Sequence, residues 1–127
     1  MQEKYLFEYA VIRVVPQVER EEFVNVGVVL FCSKLKFLGM RYQLDVARLQ
    51  AFSPLLDIAE LHDYLKAFEH ICIGGKAAGP IGLLPTAERF RWLTATRSTV
   101  VQTSKVHPGF CTEGAAMLDH MFTQMVS

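Results

Sequence analysis

Arg13 and Asn25 are the residues of this chain whose types and spacing best suit holding a ligand. They fall in YAVIRVVPQVEREEFVNVGVVLFC, residues 9–32, two β-type runs joined by a short charged loop. If Val15 faces Phe23, the runs pair Arg13 with Asn25, Val11 with Gly27, Tyr9 with Val29 and Phe7 with Phe31. Arg13 and Asn25 then project from one face as cross-strand neighbours. Arginine offers a planar fork for carboxylate or phosphate. Gly27 leaves a gap one step along, so the pair could hold an anionic or polar group. A structural alternative pairs Arg13 with Glu21 or Glu22 and makes Gly27 a bulge or a point of close helix packing.

The run Thr96-Arg97-Ser98-Thr99 is a second candidate, because an arginine flanked by hydroxyls at a turn suits an anion. Gln102 and Ser104 would share a face of the following strand, with Phe90 and Trp92 on the partner strand, and polar groups beside a tryptophan can form a binding surface. The plainer reading is an exposed hairpin turn. His107 stands in a breaker segment, His107-Pro108-Gly109, and is the histidine best suited to general acid or base work.

Other chemistry is missing from the pattern. His62, His70, His107 and His120 show neither HxxxH nor HExxH spacing, so no metal site is expected. Gly74-Gly75-Lys76 lacks the rest of a phosphate loop and is followed by Ala77. Cys32, Cys72 and Cys111 are odd in number without CxxC spacing, which reads as buried reduced thiols. No cofactor is implied.

The elements that must position these residues follow from periodicity. Leu6–Val15 and Phe23–Cys32 read as strands, with Pro16 ending the first. The face opposite Arg13 collects Leu6, Ala10, Ile12, Val14, Val24, Val26, Val28, Leu30 and Cys32, and should be the core. Leu35–Tyr42 suits a third strand and Asp45–Phe52 a short helix. Ser53-Pro54 suits a helix start, and Leu61, Leu65, Phe68 and Cys72 give that helix an apolar stripe ending near Gly74-Gly75. Residues 74–85 read as a loop packed over the domain. Phe90–Ala95 and Thr99–Val106 read as a second hairpin, and Thr112 as the cap of a final helix striped by Leu118, Met121, Phe122 and Met125. The order β-β-β-α-α-β-β-α implies an α+β fold over residues 1–127 as a single domain. Its antiparallel sheet would comprise two hairpins plus a possible extra strand, with the helices packed on one face.

With 127 residues, 51% hydrophobic and 20% charged, the composition is globular, and a formal net charge of +0 argues against a nucleic-acid interface built on Arg89, Arg91, Arg97 and Lys105. No apolar run approaches the roughly 18 residues of a membrane span. MQEKYLFEYA lacks a signal-type apolar region, which reads as cytoplasmic.

The N-terminal run, with its order of Arg13, Pro16, Glu22, Phe23, Asn25 and Gly27, resembles the signature of the domain of unknown function 3037 family. RFRWLTATRSTVVQTSKVHPG and the helix ending Leu118-Asp119-His120-Met121-Phe122 resemble its C-terminal half. The resemblance implies a bacterial protein, and the family lends it no assigned activity and no catalytic residues. It also implies a partner role, since members stand beside a HipA-like kinase in bacterial genomes. The functional expectation is a binding or accessory module for a protein partner, for self-association, or for a small anionic ligand. It would use Arg13, Asn25, Gly27, Arg97, Ser98, Gln102 and His107. The alternative is a small enzyme or phosphate/nucleotide-handling domain in which Arg13, Arg97, Ser98 and His107 converge.

Overall fold

The computed structural model describes residues 3–126. Strands β1, Tyr5–Val14, and β2, Val24–Cys32, form the expected antiparallel hairpin, and β3, Phe37–Tyr42, pairs with the far side of β2. The Arg13–Asn25 and Val14–Val24 pairs are those expected from the pattern. Beyond them the register steps by one residue, so Ile12 faces Gly27 and Tyr9 faces Leu30. Val26 is the extra residue of a β-bulge.

The bulge redistributes the core. Ala10, Ile12, Val14, Val24 and Val26 remain together, joined by Val29 and Phe31, in the larger apolar cluster. Val28, Leu30 and Cys32 turn to the opposite face and join Phe7 in a second cluster. Leu6, expected inside, is 53% exposed. Buried on both faces, β2 is an almost continuous apolar run, and Asn25 is the one polar side chain in it.

Helices therefore cover both faces. Leu49 of α1 (Val46–Phe52) and the stripe Leu61, Leu65, Phe68 and Cys72 of α2 (Ile58–Ile73) pack on the larger cluster. The final helix lies on the other face, where Leu118 and Met121 meet Val28 and Leu30. The expectation that all helices share one face assumed a hairpin without a bulge, which would leave only one face apolar. The α+β class and the antiparallel sheet stand.

Two helix starts differ from expectation. Asp57, not Ser53, caps α2, its carboxylate accepting the Glu60 N–H at 3.1 Å. Ser53 instead closes α1, donating its N–H to Leu49 O. Leu56 and Ile58 pack part-buried against the larger cluster just ahead of Leu61, while Leu55 is 95% exposed. Residues 76–82 form a 3-10 turn and the short helix α3, Gly79–Gly82, with Ala78 and Ile81 against the core, as a packed segment should be.

The second hairpin does not form. Residues expected to start it belong to a helix, α4, Thr86–Leu93. Ala87, Phe90 and Leu93 meet the larger cluster at helical spacing, which outweighs the strand preference of the aromatic residues. The strands β4, Val101–Thr103, and β5, His107–Cys111, both pair with the free side of β1, giving the order β3-β2-β1-β4 with β5 also on β1. They are two pieces of one edge line. At the break, Ser104 donates its N–H to Val11 O and accepts the Val11 N–H on its hydroxyl, both at 2.8 Å. Pro108, expected to break the chain, sits within β5, where an outer strand tolerates a missing donor. The final helix α5, Gly114–Met125, follows Glu113 and has no side-chain cap, so Thr112 does not serve as one.

Candidate functional site

Three strands bring polar side chains into one row. Arg13 on β1 lies opposite Asn25 on β2 and opposite Gln102 on β4. All three stand on the α5 side, since Ile12 and Val14 face the other way. The Arg13 guanidinium lies 3.8 Å above the centre of the Phe23 ring, and Phe23 is 44% exposed. Phe23 was not singled out from sequence, although its position two before Asn25 puts it on the same face.

The row is incompletely satisfied. Arg13 Nε is buried without a hydrogen-bond partner, and so is Asn25 Oδ1. The Asn25 amide donates through Nδ2 to Met125 O at the end of α5, at 3.2 Å. Gln102 Nε2 donates to Thr99 O at 2.8 Å. Glu22 does not answer Arg13, because its carboxylate pairs with Arg20 at 2.5 Å. The other ion pair among the described residues is Arg41–Asp119. Burial without a counter-charge lowers the Arg13 pKa. Unpartnered buried polar atoms of this kind cost about 1–3 kcal/mol, so each asks for an explanation.

Gly27 is not part of this row. It faces Ile12 and Tyr42, and a Cβ there would lie 2.7 Å from Arg41 O and 2.8 Å from Tyr42 Cβ. Its missing side chain admits β3 at the bulge. His107 pairs with Tyr9, ring centres 5.5 Å apart, on the same face as Arg13 but four residues along β1, about 13 Å away.

Arg97 is elsewhere and occupied. Its Nη1 donates to Leu93 O at 2.8 Å and Ala95 O at 3.4 Å, and its Nη2 donates to Trp92 O. The guanidinium rests over the Trp92 and Phe68 rings. It closes the C-terminal end of α4, where a cation suits the exposed carbonyls. Phe68 belongs to the α2 side, so Arg97 and Arg13 lie on opposite sides of the sheet. Ser98 beside it is exposed. The residues imagined as one pocket are thus separated.

Two clefts open nearby. One, of about 310 Å³, lies where the bulged end of β2 meets the start of α1 and the end of α5; it includes Asn25 but not Arg13. The other, of about 290 Å³, lies between the β1–β2 tip and the α1–α2 connection. Among the described residues no cluster of three or more His, Cys, Asp or Glu is placed to hold a metal ion, and no helix is long and apolar enough to cross a membrane.

All three cysteines are free and buried. Burial, and secondarily Glu69, pushes the Cys72 thiol up to about 12 against the pull of Arg89. Burial also raises Cys111. The folded protein should therefore resist a thiol reagent at pH 8 and react with three equivalents once unfolded in urea. The contribution of Cys72 to stability is full below the ordinary thiol value of 9.0 and is lost as pH rises towards about 12, since the unfolded chain ionises first. Rapid labelling of the native protein at pH 8 would contradict this burial.

No curated protein and no solved structure matches the chain. A family model does: residues 9–126, which hold the Arg13 row, its Phe23 platform and both clefts, match the family described as Protein of unknown function (DUF3037), and the chain belongs to that family.

Proposed function

We propose that this protein is a binding module that takes an anionic group, from a small ligand or a protein partner, at the Arg13–Asn25–Gln102 row. The observation that carries the reading is the unpartnered buried donor Arg13 Nε, with no acid against the guanidinium among the described residues. The resting pose is held by stacking on Phe23. An incoming carboxylate or phosphate therefore gains a charge-assisted bond without breaking an ion pair. A HipA-like kinase, the partner implied by the family's genomic neighbourhood, is the first protein to test on this face.

The two roles open to Arg13 predict opposite signs. A structural arginine would lower stability when lost. A binding arginine with an unanswered donor should give an Arg13→Met variant at least as stable as wild type, to within about 1 kcal/mol. Titration with sodium phosphate and with sodium acetate, followed by NMR, should shift the Arg13 Nε–H and the Asn25 and Gln102 side-chain amides. Arg13→Met should abolish the shifts of the two amides. A destabilised variant together with an unresponsive wild type would mark the row as a structural prop.

A further inference from the structure

We infer that the cleft of about 310 Å³, which borders the Arg13 row at Asn25, is a second site, for a small zwitterion carrying an apolar side chain, of the class of the branched aliphatic amino acids. Its floor is apolar, formed by Val26, Leu49 and Val126, and its rim is polar, with Asn25, Asp45 and Arg48. An apolar floor with a few convergent polar groups is the usual make-up of a small-molecule site, and the volume lies at the lower end of the range for such sites.

The rim fixes the ligand's charges. Asn25 Oδ1 is buried and unpartnered, so it asks for a donor. The Asp45 carboxylate is already oriented, since it accepts the Arg48 backbone N–H at 3.1 Å. The end of α5 borders the same cleft through Val126, and a helix C-terminus favours positive charge. These three features suit an ammonium group. Arg48 stands one helical turn from Asp45, and among the described residues its side chain has no hydrogen bond or ion pair. It suits a carboxylate. One site acid, one site base and a neutral amide balance a ligand of zero net charge. A lone anion or a lone cation would leave one side of the rim unanswered. The floor then takes the hydrocarbon.

The test removes the ligand's groups one at a time. Wild-type protein is titrated by NMR with L-leucine, with 4-methylpentanoate, which lacks the ammonium, with 3-methylbutylamine, which lacks the carboxylate, and with glycine, which lacks the side chain. L-leucine should shift Asn25, Arg48 and Val126, and each deletion should weaken binding about tenfold or more. Arg48→Met, an exposed position whose backbone N–H still meets Asp45, should melt with the wild type and lose L-leucine. Arg13→Met should keep it, which separates this site from the anion row. Equal binding of 4-methylpentanoate, undiminished binding by Arg48→Met, or no response to L-leucine would each overturn the inference. The Arg13 reading would stand or fall on its own titration.

Discussion

Replacing Arg89 by methionine should lower folding stability by about 3 kcal/mol, a large share of the roughly 5–15 kcal/mol that a domain possesses. Arg89 donates from Nη1 to Ile71 O at 2.7 Å and Cys72 O at 2.8 Å, from Nε to Leu84 O at 3.0 Å, and from Nη2 to Thr86 Oγ1 at 3.3 Å. It ties the last carbonyls of α2 to the start of α4, two of the helices that cover the larger apolar cluster. Bonds to a charged donor contribute about 1.5–3 kcal/mol, and methionine would fill the space while leaving several part-buried carbonyls unanswered. The chain leaves α2 through Gly74 at a φ of 82°, and a Cβ there would lie 2.8 Å from Arg89 Nη1, so arginine and glycine are fitted to each other. Arg89→Lys should recover less than half of the loss, because an ammonium cannot reach three segments with a planar fork. Arg91→Met, exposed on the same helix, should stay within about 0.5 kcal/mol. Urea denaturation of the three variants decides the matter, and equal midpoints for Arg89→Met and Arg91→Met would refute the staple. Arg89 and Arg97 are thus both committed to backbone carbonyls, which removes half of the four cations that a nucleic-acid face would need.

Sequence periodicity reached the hairpin, the third strand, the α2 stripe and the α5 stripe, because each repeats apolar residues over a length that only one element fits. It paired Arg13 with Asn25 because that pair lies on the turn side of the bulge, where alternation is still intact. Beyond Val26 it failed: VNVGVVLFC is apolar on both faces, and alternation cannot reveal an inserted residue when both faces are buried. The Asn-x-Gly at residues 25–27 was the available trace of the bulge, and the bulge reading stood beside the ligand gap as an alternative. FRWLTA, residues 90–95, reads as a strand since its aromatic residues suit strands, and helical spacing emerges only when Ala87 is counted with Phe90 and Leu93. Gln102, expected beside Phe90 and Trp92, stands on the Arg13 row instead, because the strand that carries it pairs with β1 and not with residues 90–95. Arg97 reads as an anion binder in sequence, and in the structure its guanidinium is taken up by neutral backbone carbonyls at the end of its own helix. The cleft joins Asn25 of β2, Asp45 and Arg48 at the start of α1, and Val126 at the end of α5, and no local spacing brings these three elements together.

Gly27→Ala should destabilise the protein by about 3 kcal/mol, although alanine in a strand interior is otherwise preferred to glycine. The added methyl would meet Arg41 O at 2.7 Å and Tyr42 Cβ at 2.8 Å, and neither atom can swing aside as a side-chain tip would. Relief must come from the backbone. β2 is held on its other side by β1, so the strand that yields is β3, an outer one. Its retreat would break the Gly27–Tyr42 pairing and the bond from Gln43 N–H to Val26 O at 2.8 Å, next to the cleft floor. Arg13, Asn25 and Gln102 lie across the bulge and should keep their register. Amide hydrogen exchange on Gly27→Ala should therefore show lost protection along residues 37–43, with β1 and β4 close to wild type. L-leucine binding should weaken together with β3, and the Arg13 resonance should still answer phosphate. Uniform loss of protection across all strands would mean that the bulge does not divide the sheet into separately yielding parts. An unchanged midpoint would mean that β3 approaches β2 less closely than a glycine requires.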